Sequence, residues 1–227
     1  MTYAGIPDLW FNLPPGFLQF DLEEDAEARM LRMADVASSI YPSATPDQHL
    51  SLVVSGEYIL QTMIAAGAEH VSSCLLRMPG DKLSQGTLCV LIERPDTGPL
   101  RQNRQDAAER TARQWRELYP EADVGLVMLP YGISALCMYE QALQIPGALF
   151  GLDEPRSTTV RQAQFCLPLK TGPGSALFVF TTEDTEHWDD YLEVLAGIMK
   201  SVSAEEPLGD DSAAAGAPAM KDAERVE

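Results

Sequence analysis

Positive charge is scarce in this chain. Its 227 residues include 16 lysines and arginines against 34 acidic residues, which gives a formal net charge of −18. A nucleic-acid-binding protein neutralises phosphates with lysine and arginine, so this balance argues against that class. It argues equally against an anionic membrane surface, which attracts basic segments. We therefore expect a chain that binds neither nucleic acid nor membrane.

Long apolar runs and paired cysteines are also missing. No run reaches the roughly 18 apolar residues that a membrane helix needs, and the first twenty residues lack the basic and apolar parts of a secretory signal. No Cys-x-x-Cys pair indicates a zinc site or a redox dithiol. The chain is thus expected to be cytoplasmic, with four reduced thiols: Cys74, Cys89, Cys137 and Cys166.

Motifs of the common catalytic and cofactor sites do not occur. The sequence contains no Gly-x-Ser-x-Gly, no Walker A loop, no Gly-x-Gly-x-x-Gly and no His-Glu-x-x-His. The histidines, His49, His70 and His187, are far apart, so a metal site would need residues that converge from distant parts of the chain. We predict no cofactor, no metal and no catalytic residue. A small enzyme with a Cys/His site in a cleft at the end of the sheet is the alternative.

Hydrophobic residues make up 45% of the chain, enough for a globular core. In the first half, periodicity predicts a short strand at 17–22 and a helix from about 24 to 40. A second helix, from about 47 to 67, is apolar on more than one face, which predicts that it is well buried; its segment 51–58 could alternatively be a strand.

A β-hairpin is predicted next, formed by residues 69–78 and 83–93 around Pro79-Gly80-Asp81. If its turn centres on Gly80 and Asp81, Thr87 faces Cys74, and no disulfide to Cys89 is implied.

A helix ending near Leu118, four further strands and a C-terminal helix at about 185–202 complete the predicted order β-α-α-β-β-α-β-β-β-β-α. Short links between strands require antiparallel neighbours. The fold class is therefore α+β, with helices packed on an antiparallel-rich sheet of six to seven strands. The strand Ala176–Phe180 is apolar on both sides, which predicts that this part of the sheet is covered on both faces.

The composition changes after residue 202. Residues 203–227 contain no aromatic residue, an Ala-Gly-Pro tract, seven acids and two bases. We predict a single globular domain at 1–202 and a disordered acidic tail at 203–227.

Both ends of the chain resemble one known fold family. The strand-turn-strand around Phe165-Cys166-Leu167-Pro168 and 177–182, the helix ending at 198–202, and the opening segment Leu13-Pro14-Pro15-Gly16-Phe17 are similar to the PsbP/Mog-type fold. That resemblance implies an α/β/α sandwich acting mainly as a binding or accessory module, and it carries over no functional residue.

Two features of the sequence are candidate binding determinants. Trp10, Phe11 and Phe17 lie beside prolines near the N-terminus and could form an exposed aromatic recognition surface, or they could attach the N-terminus to the core. Acidic clusters at 21–27 and 183–193 fit the positive ends of helix dipoles, and the alternative for them is a site for a cation or a basic partner.

The sequence thus favours a non-catalytic cytoplasmic protein that binds another protein, in one version an acidic immunity or secretion-chaperone partner of a basic protein. A sensor domain that holds a small apolar molecule near Phe165 and Phe178 is a further alternative to the Cys/His enzyme.

Overall fold

The computed structural model describes residues 2–6, 9–78, 82–94, 103–147, 154–171 and 173–206. Within these ranges the helices are α1 (Ala26–Ile40), α2 (Pro46–Ala65), α3 (Arg104–Leu118) and α4 (Trp188–Lys200). The strands are β1 (Thr2–Ile6), β2 (Leu9–Leu13), β3 (Phe17–Gln19), β4 (Ala68–Met78), β5 (Lys82–Glu93), β6 (Asp123–Leu129), β7 (Gly132–Ile145), β8 (Arg156–Pro168) and β9 (Ser175–Thr182).

Seven of these strands form one sheet in the order β3-β4-β5-β9-β8-β7-β6, and β1 pairs with β2 in a separate hairpin. Every neighbouring pair in the sheet is antiparallel. The predicted α+β class with an antiparallel sheet of six to seven strands is confirmed. The segment 51–58, for which a strand was the alternative, is helical.

Both faces of the sheet are covered, as the apolar strand β9 predicts. On what we call the front face, the β1–β2 hairpin and α4 enclose the main core. On the back face, α3 covers one half and α2 covers the other. The largest buried side chains include Phe11 from the hairpin, Phe178 and Phe180 from β9, and Tyr191 from α4.

The β1–β2 hairpin was not predicted as a pair of strands. Leu9, Phe11 and Leu13 are buried and alternate with partly exposed residues along β2, so the period-2 signal was present in the sequence. The chain after α4 is hydrogen-bonded to the same strand: the amides of Trp10 and Ser203 each donate to the other's carbonyl at 2.8 Å.

That pairing also bears on the predicted tail. Because Ser203 is bonded to β2, ordered chain continues past residue 202, where the domain was expected to end. The remainder of the predicted tail, 207–227, lies outside the described residues.

The register of the β4–β5 hairpin differs by one residue from the sequence prediction. Cys74 pairs with Gly86, and Thr87 pairs with Ser73. Since a one-residue shift moves a side chain to the opposite face, Cys74 packs in the front core and Cys89 packs in the back core beneath α2. The two thiols are separated by the sheet, and all four cysteines are free.

Gly86 occupies a position where only a hydrogen fits. A Cβ built there would lie 2.3 Å from Cζ of Phe180 and 3.0 Å from Sγ of Cys74. We expect Gly86→Ala to lower the free energy of unfolding by about 1–3 kcal/mol, the usual cost of overpacking a core. Urea denaturation measures this. Gly125→Ala in β6 is the matched control, because a Cβ there has no atom within 4 Å; equal losses in both variants would contradict the packing argument.

No helix within the described ranges is both long enough and apolar enough to cross a membrane.

Candidate functional site

The α1–α2 pair is a helical hairpin whose ends are set by local hydrogen bonds. Asp25 caps α1 by accepting from the amide of Ala28 at 2.9 Å. Thr45 and Gln48 form a reciprocal capping box at the start of α2, which also carries Pro46 in its first turn. These signals come from the sequence alone and explain why the two helices start where they do.

A buried ion pair joins the two helices. Arg29 of α1 donates from Nη2 to Oε1 of Glu57 at 2.7 Å and from Nε to Oε2 at 3.2 Å. Their side chains are only 3% and 8% exposed. Gln61 donates to the same carboxylate at 2.7 Å, and Arg29 also donates to the carbonyl of Glu24. This network fixes α1 against α2.

The pKa values of the pair follow from these contacts. Burial by itself would raise the pKa of Glu57, but the hydrogen bonds from Arg29 and Gln61 outweigh it and hold that pKa below its usual value. The hydrogen bond to Glu57 raises the pKa of Arg29 above its usual value. Both groups are therefore charged at neutral pH.

The outer surface of this hairpin is unusually apolar, and the prediction that α2 is well buried is wrong. Leu50 is 62% exposed and Tyr58 is 47% exposed. Eight of the fourteen exposed large hydrophobic side chains among the described residues lie between residues 31 and 59. They are Leu31, Val36, Tyr41, Leu50, Leu52, Val54, Tyr58 and Ile59. We call this surface the α1–α2 face.

Helical periodicity groups the exposed residues of α2 into two stripes. Leu50, Val54 and Tyr58 follow one another at intervals of four and therefore lie along one line of the helix. Leu52 and Ile59, seven residues apart, lie along another. It is about 150° around the helix from the first, because each residue turns the helix by about 100°. The buried residues Val53, Glu57 and Leu60 occupy a third line, and Leu60 packs above β4 and β5. Ser55 is buried on another side of the helix, and Met63 and Ile64 near its end also pack against the back core.

The three aromatic residues predicted as a recognition surface differ in how far the fold buries them. Phe11 is 1% exposed and packs edge-on against Phe178, with ring centroids 5.2 Å apart. It anchors the hairpin to the sheet, so its ring is not available to a partner. Trp10 and Phe17 are partly exposed; Trp10 lies over Gly5, and Phe17 packs against the front core. Partner binding by these two residues stays a prediction.

The thiols and histidines do not form a nucleophilic pair within the described part of the chain. Burial raises the pKa of Cys74 to about 12 and the pKa of Cys89 and Cys137 to about 11, and it also raises the pKa of Cys166. A nucleophilic cysteine needs the opposite shift, toward the thiolate. His70 is buried and bonds Ser72 at 3.1 Å, so the geometry gives no support to a Cys/His site.

Asp184, Glu186 and His187 lie together just before α4, with their ligand atoms within 4.8 Å of one another. Nδ1 of His187 is 2.9 Å from Asp184. Burial opposes ionisation of Asp184, but hydrogen bonds from Ser84 and His187 lower its pKa overall. The cluster is already bonded within itself and to the sheet, which gives it a structural role at the start of α4.

Two open clefts complete the candidate sites. The larger, about 710 Å³, lies at the C-terminal end of α3, where Tyr119 stacks on Tyr139 with centroids 4.4 Å apart. Its lining contains neither cysteine nor histidine, and the Tyr139 hydroxyl already accepts from Gln164 at 2.9 Å. The smaller, about 310 Å³, lies between α3 and the ends of β5 and β9. The proposed apolar pocket at Phe165 and Phe178 is occupied by core side chains.

No protein-family model and no curated protein matches this sequence. Among solved structures, the chain is similar to a crystal structure from Bacteroides thetaiotaomicron, with a TM-score of 0.38 and 11% sequence identity. The similarity covers 87% of this chain and 45% of that chain, so this chain spans less than half the length of that protein. A similarity at this TM-score does not indicate a function. The resemblance to the PsbP/Mog-type fold stays a prediction.

Proposed function

We propose that this chain is a cytoplasmic, non-catalytic binding or accessory protein, and that it binds its protein partner through the α1–α2 face. The observation that carries the proposal is the concentration of exposed apolar side chains on these two helices. Exposed apolar residues aligned along one side of a helix, as Leu50, Val54 and Tyr58 are, are typical of interaction sites. The buried Arg29–Glu57 pair supports the proposal further, because it holds the two helices as one rigid platform.

The alternatives receive less support. A Cys/His enzyme needs a reactive thiolate, whereas burial raises the pKa of each thiol. A sensor for a small apolar molecule needs space beside Phe178, and Phe11 occupies it.

Site-specific photo-crosslinking in the native cells tests the proposal. A benzophenone amino acid replaces Tyr58 on the α1–α2 face in one variant and Leu118 in the control. Leu118 is 68% exposed on α3, outside the proposed surface. We expect one dominant adduct of defined mass from position 58 and none from position 118. The adduct should disappear when Leu50→Gln and Val54→Gln are added.

Co-purification at low and high salt provides a second readout of the same partner. The proposal is wrong if position 58 yields no adduct, or if no partner co-purifies at either salt concentration. It is also wrong if both positions yield the same adducts, or if the adduct at position 58 is insensitive to the two substitutions on α2.

A further inference from the structure

The α1–α2 face combines its apolar side chains with uncompensated negative charge. Residues 21–66 contain eight acidic residues and only two arginines. Arg29 is paired with Glu57 inside the hairpin, and Arg32 is paired with Glu24. Within the described part of the chain, the other six carboxylates form no salt bridge with a basic side chain, although the charge of Asp25 also acts on Arg29. They are Asp21, Glu23, Asp25, Glu27, Asp35 and Asp47.

These carboxylates are spread along the whole length of the hairpin. Arg29 meets Glu57, and Met33 lies beside Gly56, so α1 and α2 run antiparallel. This arrangement brings residues 21–27 to the C-terminal half of α2 and Asp35 to its N-terminal half, while Asp47 lies in the first turn of α2 itself. Acidic residues therefore occur along the whole length of the hairpin that carries the apolar stripes.

The negative charge of the α1–α2 hairpin distinguishes between the kinds of partner that could bind the α1–α2 face. A second copy docked through the same face would bring six unpaired carboxylates against six more, and like charges across an interface oppose binding. An anionic membrane surface is disfavoured for the same reason. A helix that is apolar on one face and basic on the other satisfies both properties of the surface. Its apolar residues can cover the stripe of Leu50, Val54 and Tyr58, and its lysines or arginines can meet the carboxylates.

We propose that the α1–α2 face binds a cationic amphipathic helix of the partner protein. The inference rests on the proposed function and specifies the chemistry of the partner. The platform is long enough for such a helix, because the twenty residues of α2 extend over about 30 Å, the length of a partner helix with a similar number of residues.

A designed peptide serves as the probe. It has 18 residues, with leucine at i, i+3, i+4 and i+7 positions and lysine elsewhere, and carries a fluorophore for anisotropy titration with the full-length chain. One control peptide has the same composition in an order that spreads leucine around the helix, and another replaces lysine with glutamate. We expect micromolar binding of the amphipathic lysine peptide and at least tenfold weaker binding of both controls.

Variants of the protein locate the binding surface. We expect Leu50→Gln with Tyr58→Gln to weaken binding at least tenfold, whereas Leu118→Gln on α3 should change it less than twofold. Asp35→Asn with Asp47→Asn should weaken binding at 50 mM NaCl and reduce its dependence on salt, because exposed charges are screened as ionic strength rises. This second pair keeps the test decisive if the apolar substitutions impair folding, which circular dichroism will detect.

Several results would overturn the inference: no binding of the amphipathic lysine peptide, equal binding of the scrambled peptide, or binding unaffected by both pairs of substitutions on the hairpin. Its failure can be told apart from failure of the proposed function. If the partner crosslinked at position 58 contacts the face without a basic amphipathic helix, the chain is a binding protein and only the inference is wrong. If no partner crosslinks there, the proposed function itself fails.

Discussion

Replacing Arg29 by methionine is expected to lower the free energy of unfolding by about 3 kcal/mol at pH 7. The substitution leaves the Glu57 carboxylate buried with Gln61 as its remaining hydrogen-bond donor, and uncompensated buried charges cost about 3–5 kcal/mol. We expect the lower end of this range because the pair lies between two helices of one hairpin. Urea denaturation measures the change.

The stability lost in this variant, measured relative to the wild-type chain at the same pH, should depend on pH. In the wild-type chain the pKa of Glu57 lies below its usual 4.5, so this residue stabilises the fold above that pH and its contribution is lost only in stronger acid. Without Arg29, burial raises the pKa of Glu57 instead. The difference in stability between the wild-type chain and the variant should then shrink as the pH falls from 7 toward 5, since His70 contributes equally to both proteins.

Two further variants separate the buried charge from other effects. Arg29→Met combined with Glu57→Leu removes both charges and should lie within about 1 kcal/mol of the wild-type chain. Arg32→Met breaks the more exposed pair with Glu24 and should cost less than about 1 kcal/mol. If Arg29→Met costs no more than Arg32→Met, or if the double variant is as unstable as the single one, the ion pair does not have the role assigned to it.

Acidification from pH 7 to pH 5 is expected to destabilise the fold by about 2 kcal/mol through His70 alone. Burial lowers the pKa of His70 from 6.5 to about 4. The ring is 1% exposed, lies against Phe11 with centroids 5.1 Å apart, and leaves Nδ1 without a partner among the described residues. The unfolded chain therefore binds a proton at pH 5 while the folded chain does not, and stability is lost as the pH falls below 6.5. The loss reaches about 3 kcal/mol near pH 4 and levels off below that pH, where the folded chain binds the proton too.

Urea titrations at several pH values, with and without His70→Leu, measure this contribution. The variant should lack about 2 kcal/mol of the difference in stability between pH 7 and pH 5. His49→Leu is the matched control: His49 is partly exposed, and its Nε2 lies 2.9 Å from the carbonyl of Tyr41. The same pH dependence in the wild-type chain and the His70 variant would show that another group is responsible.

The candidate site could be predicted only in part from the sequence. The acidic run at 21–27 and the apolar pattern of α2 are both visible, but each has an ordinary explanation when taken alone: Asp25 does cap α1, and an apolar helix usually packs into a core. The exposure of Leu50, Val54 and Tyr58 depends on which line of α2 faces the sheet. A helix that is apolar on several faces contains no signal that selects one of them.

The aromatic residues near the N-terminus illustrate the same limit. Trp10, Phe11 and Phe17 suit an interface as well as a core, since aromatic side chains dominate both. The alternation of Leu9, Phe11 and Leu13 indicates which residues share a face of β2. It does not indicate that these residues of β2 pack on the front face of the seven-stranded sheet. The contacts of Phe11 with His70 and Phe178 join distant parts of the chain.

The sequence by itself determined what depends on neighbours along the chain. The α+β class, the four helices and the main strands of the sheet all follow from local periodicity. Only the tertiary structure decided the register that places Cys74 against Gly86, the pairing of Arg29 with Glu57, and the apolar lines of α2 that the fold leaves exposed. The physical reason is that the burial of a residue depends on how the layers of the fold are arranged. The sheet and α1 bury part of the surface of α2 and leave Leu50, Val54 and Tyr58 exposed.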